Sequence, residues 1–317
     1  MQAVVVEHPG ETGTLKEIAT PQPGPNEILV RVTAAGVNPV DWKIRDSGRH
    51  PMPFVLGQDF AGVVSAVGEN VYDYTQGERI FGIARTHGAY AQFTIVPADA
   101  KAEPVAHIPA DVGDADAAAL PTAGLTALAA LDAMNVSKGT TLVILGVTGG
   151  VGGFAAQIAH SRGARVIGTG HSGNEAQALA FGVDTYLAYD TTSVAQALAA
   201  QLPSKADAIL DLVDDASGTE AMKSLLRPGG FIVSTIGALD VGGFARAGFK
   251  AINLVMNETP QSSHDGLRQL ARMVEDGTIR VTIAAERDLR EAPQALDQSK
   301  SGSVNGKLVL TVESGRI

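Results

Sequence analysis

The stretch VTGGVGGFAAQIA, residues 147–159, carries four glycines among its first seven residues and then becomes apolar and alanine-rich. The residues before it, TLVIL at 141–145, form a short apolar run that predicts a buried β-strand. Strand, glycine-rich turn and helix in this order are typical of a dinucleotide-binding βαβ unit, because the helix N-terminus presents unpaired N–H groups to a phosphate. The alternative is a glycine-rich turn with a structural role alone.

The glycines of this turn have separate predicted roles. Gly146 and Gly149 allow a tight turn at the strand end, and Gly150 and Gly152 remove side chains where a pyrophosphate has to approach. Gly152 also permits close packing of the following helix on the strand. No Lys-Ser/Thr pair follows the glycines, so the turn is not a Walker loop.

The end of the second predicted strand bears on the choice of coenzyme. An NAD site usually has an acidic residue there, about twenty residues after the glycines, to bind the ribose 2′-hydroxyl. In VIGTGHSGNEA, residues 166–176, no acidic residue precedes Glu175, while His171, Ser172 and Asn174 can donate hydrogen bonds to a 2′-phosphate. The stretch contains no arginine, the usual charge partner of that phosphate. This pattern favours NADPH over NADH.

The chain shows two textures. Residues 1–119 alternate short β-branched runs with turn residues, which predicts β-strands joined by tight loops. Residues 120–258 alternate apolar strands with helices, which predicts an α/β Rossmann domain with a doubly wound parallel sheet. Residues 259–317 end in a single strand, GKLVLTV at 306–312, which we expect to rejoin the N-terminal β-domain. A chain of 317 residues suits two domains of roughly 150 residues each.

Several further elements follow from the spacing of apolar residues. It predicts a helix over 114–134, a helix over 218–230 and a charged helical stretch over 287–302. The run FKAINLVM, residues 249–256, follows the last predicted strand of the second domain.

Composition excludes several classes of function. The 24 Lys and Arg residues against 34 Asp and Glu residues give a net charge of −10, which opposes binding to a nucleic-acid backbone. The chain has no cysteine, which excludes disulfides, thiolate metal sites and cysteine nucleophiles. We see neither a signal peptide nor an apolar run long enough for a membrane span, and therefore expect a soluble cytoplasmic protein.

Six segments together resemble one known family over essentially the whole chain. They are AAGVNPVDWKIRDSG (34–48), LGQDFAGVVSAVG (56–68), ALPTAGLTALAAL (119–131), LGVTGGVGGFAAQIA (145–159), LRPGGFIVSTIG (226–237) and NGKLVL (305–310). In this order they resemble the zinc-free quinone oxidoreductase branch of the medium-chain dehydrogenase/reductase superfamily. The resemblance implies a GroES-like β-domain, completed by C-terminal residues, into which the Rossmann domain is inserted. It also implies an active-site cleft between the two domains.

Departures from the zinc-dependent relatives predict a site without a metal. Where those alcohol dehydrogenases have Cys, this chain has Asn38, and where they have Gly-His-Glu it has Gly57, Gln58 and Asp59. Both zinc ligands available from these motifs are therefore missing. The histidines show no close pairing at metal-ligand spacing; they are His8, His50, His87, His107, His160, His171 and His264. Alcohol oxidation, which needs a Lewis acid, is not expected.

The resemblance also implies site residues. Asn38, Asp41 and Thr122 match the catalytic segments: Asn38 would donate its amide to a carbonyl or the nicotinamide, Asp41 would orient it, and Thr122 would lie near the nicotinamide. The alternative for the first two is an Asn-Pro turn in which Asp41 caps the following helix. The glycine turn, the carboxyl ends of the predicted strands and the resemblance together give the positions predicted for cofactor binding: Pro39, Thr148, Gly149, Gly150, Val151, Gly170, His171, Ser172, Asn174, Tyr189, Val213, Asp214, Ile236, Gly237, Asn305 and Lys307. Two of these have alternatives, an ordinary half-buried aromatic for Tyr189 and a strand-edge charge for Lys307.

The combined expectation is a reductase that uses NADPH without zinc. Hydride transfer from the nicotinamide to a quinone or to the β-carbon of an α,β-unsaturated carbonyl leaves an oxyanion, which needs hydrogen-bond donors rather than a metal. An enoyl-thioester reductase and a non-catalytic NADPH-binding protein remain as alternatives. The expected partners are a small carbonyl or quinone substrate and a second copy of the chain, which the resemblance implies pairs through an exposed strand edge at residues 249–256. No nucleic-acid or membrane partner is expected.

Overall fold

Residues close in space form two compact units. The computed structural model describes residues 1–99, 103–191, 194–214 and 216–313. The first unit contains Met1–Leu125, Ser262–Gly277 and Val281–Ile317, and the second contains Thr126–Gln261 and Thr278–Arg280. The second unit is thus inserted in sequence within the first. The domain limits expected from the sequence, 1–119 with 259–317 and 120–258, remain predictions.

Strands and helices are numbered in chain order. The strands are β1 (Gln2–Val6), β2 (Thr14–Glu17), β3 (Glu27–Val37), β4 (Phe54–Val55), β5 (Asp59–Val67), β6 (Arg79–Ile83), β7 (Phe93–Pro97), β8 (Val105–His107), β9 (Thr141–Leu145), β10 (Arg165–Gly170), β11 (Thr185–Ala188), β12 (Ala206–Asp211), β13 (Leu226–Ser234), β14 (Lys250–Asn253), β15 (Ile283–Asp288) and β16 (Lys307–Thr311). The helices are α1 (Pro39–Ser47), α2 (Asp114–Ala119), α3 (Pro121–Ala133), α4 (Gly150–Ser161), α5 (Glu175–Ala180), α6 (Val194–Gln201), α7 (Ala216–Met222), α8 (Val241–Arg246), α9 (His264–Glu275) and α10 (Ala292–Lys300). Over the described ranges, no helix is both long enough and apolar enough to cross a membrane.

The first unit is a β-structure built around β3. One sheet has the order β15-β16-β3-β5-β6-β8, with β7 also paired to β3, and a second sheet has the order β2-β1-β4. The long strand β3 has three partners: β5 pairs along one edge, and on the other edge its first half pairs with β7 and its last residues pair with β16. The C-terminal strand does rejoin the N-terminal domain, as expected. It is not a single strand, however, because β15 pairs with it in parallel.

The second unit has the sheet that the sequence predicts. Its strands follow the order β11-β10-β9-β12-β13-β14, and every neighbouring pair is parallel. The strand order reverses between β9 and β12, so the chain winds outward in both directions from the sheet centre. This arrangement confirms the α/β Rossmann sheet inserted into a β-domain. The carboxyl ends of β9 and β12 meet at the reversal, where ligands of such sheets bind.

Three predicted helices are wrong in extent. The helix predicted over 114–134 is two helices, α2 and α3, because Pro121 has no N–H and therefore starts a new helix instead of continuing the first. The helix predicted over 218–230 covers only α7, a short turn follows, and β13 already begins at Leu226, with its pairing to β12 shifted before Phe231. In the stretch predicted as helical over 287–302, Arg287 and Asp288 complete β15 and the α-helix begins at Ala292.

The glycine turn between β9 and α4 is fixed by backbone packing. Gly146 follows β9 with φ of 84°, in the left-handed region that glycine adopts without strain. A Cβ on Gly152, in the first turn of α4, would lie 2.3 Å from the carbonyl oxygen of Gly146. At Gly149, which caps α4, the nearest atom to a Cβ would be 3.5 Å away. Gly152 is therefore required by the close approach of helix and turn within the protein.

Replacing Gly152 by alanine should destabilise the second unit by roughly 3 kcal/mol, because the added methyl group displaces the start of α4 from the turn. The matched variant Gly149→Ala adds the same group where there is space and should cost under about 1 kcal/mol, mostly as a weaker helix cap. Urea unfolding followed by circular dichroism compares the two. Equal losses of stability would contradict the packing argument.

Candidate functional site

The predicted catalytic residues belong to a buried polar network in the first unit, here called the Asn38 network. Its members come from five separate segments of the chain and are connected by hydrogen bonds. They are Asn38, Asp41, Asp59, Tyr90, Thr122 and Lys307.

The start of α1 anchors one side of this network. Asn38 has extended backbone geometry just before Pro39, and its N–H donates to Oδ2 of Asp41 at 2.9 Å. The same oxygen accepts from the Tyr90 hydroxyl at 2.8 Å. Asp41 therefore fixes the backbone of Asn38, which is the helix-capping arrangement that the sequence left open. Pro39 is exposed at the first position of the helix.

Asp59 is the centre of the network, and sequence reasoning missed this role. It lies at the start of β5 and is fully buried. Its Oδ2 accepts from the Asn38 side-chain amide at 2.8 Å and from the Thr122 N–H at 3.0 Å, and its Oδ1 accepts from the Thr122 hydroxyl at 2.6 Å. The carboxylate thus holds Asn38 and the start of α3 together. Thr122 is the half-buried member of the network.

Lys307 closes the network from the C-terminal strand. Its ammonium donates to the carbonyl oxygen of Val37 at 2.9 Å and to Oδ1 of Asn38. The alternative of a strand-edge charge is wrong, because β16 lies between β15 and β3 and Lys307 is buried. Asn305 lies two residues earlier and is half-buried. Contact of either residue with a cofactor remains a prediction.

Burial dominates the protonation of the network. It raises the pKa of the Asp41 carboxyl to about 7, against the opposing effect of the hydrogen bond from Asn38. Burial likewise raises the pKa of Asp59, although the charge of Lys307 acts in the other direction. For Lys307, burial lowers the pKa while the Asp59 charge supports the ammonium form. Burial therefore favours the uncharged form of all three groups, while the attraction between Lys307 and Asp59 favours their charged forms.

The predicted phosphate-binding residues lie in the second unit, at the start of α4. Thr148 is buried, and Gly149 caps the helix that begins with Gly150 and Val151. The first N–H groups of any helix have no intrahelical acceptor and carry the positive end of the helix dipole. This turn therefore provides backbone donors for an anion.

A second group of predicted residues follows β10 and β11. The register of these strands pairs Gly170 with Ala188, so the residues after each strand lie side by side. The ring of Tyr189 is 57% exposed and meets His171 edge-on at 6.1 Å. Asn174 lies at the end of the turn that begins at His171.

Asp190 is a residue that sequence reasoning missed at this position. Its carboxylate accepts from the Ser172 N–H at 2.8 Å and from the Ser172 hydroxyl at 2.7 Å, and lies 3.5 Å from Nε2 of His171. The pattern of a dinucleotide site places the acidic residue at the end of the second strand, which is β10 here. Asp190 follows β11, the strand next to β10 in the sheet, and adjacency in space was the signal that could have revealed it.

The ends of β12 and β13 present apolar side chains. The buried Asp211 accepts from the N–H groups of Val213 and Asp214 at 3.2 and 2.9 Å. Val213 is 60% exposed, and Ile236, beside Gly237, is 39% exposed. These two side chains offer an apolar surface at the carboxyl edge of the sheet, next to the polar turn after β9.

The structure brings the predicted residues together in two groups. Asn38, Asp41, Thr122 and Lys307 share one network, and the predicted residues of the second unit share the carboxyl edge of its sheet. In the described part of the chain, no group of three or more His, Cys, Asp and Glu residues is arranged to hold a metal ion.

Two family descriptions match this chain. Residues 24–109 match the family "Alcohol dehydrogenase GroES-like domain", and residues 181–310 match "Zinc-binding dehydrogenase". The first match covers most of the β-strands of the first unit, and the second extends from the Rossmann sheet to the C-terminal strand.

Three relatives differ in name and in how much of their own length this chain covers. A quinone oxidoreductase from Sus scrofa is 39% identical over 158 residues, which cover 48% of this chain and 46% of that protein. A chloroplast envelope quinone oxidoreductase homolog from Arabidopsis thaliana is 28% identical over 93% of this chain and 92% of that protein. The pikromycin polyketide synthase component PikAII from Streptomyces venezuelae is 32% identical over 97% of this chain, which spans 8% of its length.

Solved structures match over almost the whole chain. The quinone oxidoreductase from Coxiella burnetii has a TM-score of 0.87 and 29% identity, covering 99% of both chains. The Escherichia coli quinone oxidoreductase complexed with NADPH has a TM-score of 0.88 and 25% identity, covering 98% of this chain and 100% of that one.

The raised pKa of Asp41 predicts a pH-dependent stability. Because its pKa in the folded protein, about 7, exceeds the ordinary 3.8, the stability contributed by protonated Asp41 is complete below pH 3.8 and is lost as pH rises through 7. Relative to Asp41→Asn, the wild-type free energy of unfolding should fall by roughly 3 kcal/mol between about pH 5 and pH 8. Urea titrations across this range measure the difference.

The matched control is Asp73→Asn, the same change at an exposed position of the first unit. Its stability difference from the wild type should stay constant over the same range. A difference for Asp41→Asn that is equally constant would show that this carboxyl is ionised throughout.

Proposed function

Because the chain belongs to the medium-chain dehydrogenase/reductase superfamily of oxidoreductases, we propose that it is an NADPH-dependent reductase of quinones or α,β-unsaturated carbonyls that works without zinc. The observation that carries the proposal is the strand, glycine turn and helix of the second unit, where Gly152 lets α4 begin directly against Gly146. The whole chain is similar to a quinone oxidoreductase complexed with NADPH, along essentially the full length of both proteins, and this similarity supports NADPH as the coenzyme.

The residues present fit a dinucleotide. The absence of a side chain at Gly149 and the position of the turn at the N-terminus of α4 suit a pyrophosphate, which backbone N–H groups would hold. Val213 and Ile236 would pack against the nicotinamide end, and Tyr189 with His171 would lie at the adenosine end. The coenzyme supplies a hydride from the nicotinamide ring. We propose binding roles for the other residues of the second unit that the sequence predicts at the coenzyme.

The Asn38 network would serve the reaction by fixing polar groups. Thr122 is held through both its N–H and its hydroxyl by Asp59, which leaves its side chain one orientation. Asn38 is held through its backbone by Asp41 and through its amide by Asp59 and Lys307. Groups held in this way have a fixed orientation before a substrate binds, and the Asn38 amide has a second hydrogen besides the one donated to Asp59. We propose that Thr122 contacts the reacting groups and that Asn38 and Asp41 position the segment around them.

The same network supports a reaction without a metal. The side chain at position 38 is an amide whose oxygen accepts from the Lys307 ammonium. A positive charge at this place opposes a metal cation electrostatically. Neither Gln58 nor Asp59 restores the histidine and glutamate of the zinc-dependent relatives, and Asp59 is already engaged by Asn38 and Thr122.

The names of the relatives indicate which class of substrate would accept the hydride. Several are quinone oxidoreductases, and one, from Solanum lycopersicum, is a 2-methylene-furan-3-one reductase with 29% identity over 92% of this chain. Both types of name describe electron-poor carbonyl compounds. The polyketide synthase matches favour the second candidate, an enoyl-thioester reductase, because they cover more than nine tenths of the chain.

A homodimer in the cytoplasm completes the proposal. Strand β14 pairs with β13 at the end of the sheet order, and Ile252 on β14 and Val255 just after it are 40% and 48% exposed. An open strand edge with apolar side chains is suited to pairing with its twin across a two-fold axis.

Coenzyme binding and turnover together test the proposed function. The fluorescence of NADPH should change when it binds to the protein. NADPH oxidation should proceed with benzoquinone, phenanthrenequinone or alkenals. Activity should survive dialysis against EDTA, because no metal takes part. Turnover with an enoyl-CoA alone would favour the thioester reductase, binding without turnover would favour a non-catalytic protein, and activity restored by zinc would contradict the metal-free site.

Thr122→Val should lower kcat roughly tenfold while leaving NADPH affinity nearly unchanged, since it removes a hydroxyl that Asp59 orients. The control is Thr94→Val on β7, which removes a buried hydroxyl that makes no hydrogen bond in the described structure. Steady-state kinetics with a quinone compare the two. Equal kcat values in both variants would remove Thr122 from the reaction.

A further inference from the structure

The carboxylate of Asp190 occupies a place where the coenzyme ribose is expected. In Rossmann domains the end of the second sheet strand faces the ribose 2′-position, and that strand is β10 here. Asp190 reaches this place from β11, because the two strands are parallel neighbours and the Tyr189 N–H donates to the carbonyl oxygen of Gly170 at 3.0 Å. The acidic residue missing from the end of β10 in the sequence is therefore supplied by the adjacent strand.

Ser172 directs both of its donors to Asp190. The Ser172 N–H reaches one carboxylate oxygen at 2.8 Å and the hydroxyl reaches the other at 2.7 Å. The turn that carries Ser172 is held in turn by the Tyr186 hydroxyl, which donates to the carbonyl oxygen of His171 at 2.6 Å. The donors that a 2′-phosphate would use are thus engaged by a group of the same charge sign.

We propose that Asp190 limits the preference for NADPH, by accepting a hydrogen bond from the ribose 2′-hydroxyl of NADH and by opposing the 2′-phosphate of NADPH. A hydroxyl can donate to the carboxylate without displacing it from Ser172, since each carboxylate oxygen has two lone pairs. A phosphate brings only negative charge and acceptors at neutral pH, so it has to separate Asp190 from Ser172 and meets repulsion besides. The affinity advantage of NADPH over NADH is therefore smaller than it would be if Ser172 and His171 faced the ribose without Asp190.

This inference rests on the proposed coenzyme site and is tested by binding, without turnover. Isothermal titration calorimetry measures Kd for NADPH, NADH, 2′-phosphorylated AMP and AMP. In Asp190→Asn the ratio of the NADH Kd to the NADPH Kd should rise roughly tenfold, and the ratio for the two fragments should rise with it. Asp190→Ser, which keeps a small polar side chain, should shift both ratios in the same direction.

The control variant is Glu175→Gln, which removes a carboxylate exposed at the start of α5, close in sequence to Ser172. Its ratio should move by less than about twofold, because the Ser172 donors are held by Asp190 and the exposed charge of Glu175 is screened by solvent. Unchanged ratios in both Asp190 variants, with both coenzymes still bound, would overturn the inference and leave the proposed function intact. Failure of the wild type to bind either coenzyme would instead overturn the proposed function.

Discussion

The buried carboxylate of Asp59 is the constraint on which the first unit depends. A buried charge has to be compensated by an opposite charge or by hydrogen bonds, or the folded state is destabilised by several kcal/mol. Here the compensation comes from parts of the chain that are far apart in sequence: α1 through Asn38, α3 through Thr122, and the C-terminal strand through Lys307. Because each partner is needed, the three segments have one relative arrangement.

The second unit achieves its arrangement by a different physical means. Its turn between β9 and α4 is determined by sterics, since the carbonyl oxygen of Gly146 leaves no space for a side chain on Gly152. The result is a rigid set of backbone donors that requires no buried charge. Side chains enter this site at its margins, where Val213, Ile236 and Tyr189 are exposed. The first unit thus fixes side chains electrostatically, while the second fixes backbone groups by close packing.

Sequence patterns predicted the features that depend on local periodicity. The parallel sheet, the glycine turn and the return of the C-terminal strand all follow from runs of apolar residues and their breaks. Helix limits were predicted less well where Pro121 interrupts a continuous apolar pattern. The contacts of Asp59 with Thr122 and of Asp190 with Ser172 were not predictable in this way. The two residues of each contact are 63 and 18 positions apart in the sequence and meet only in the folded chain.

Position 38 shows how one residue type connects the sequence to the chemistry. An asparagine side chain has a donor and an acceptor at the same end, so it can join a carboxylate to an ammonium. Asn38 does this between Asp59 and Lys307, whereas a cysteine thiol is only a weak donor and a weak acceptor. The Asn38 side chain stands where the zinc-dependent dehydrogenases have a cysteine ligand. Both of its polar atoms are hydrogen-bonded, and it carries no charge that would need compensation. The polar centre of the first unit is therefore a set of hydrogen bonds that gives Asn38 and Thr122 one orientation each.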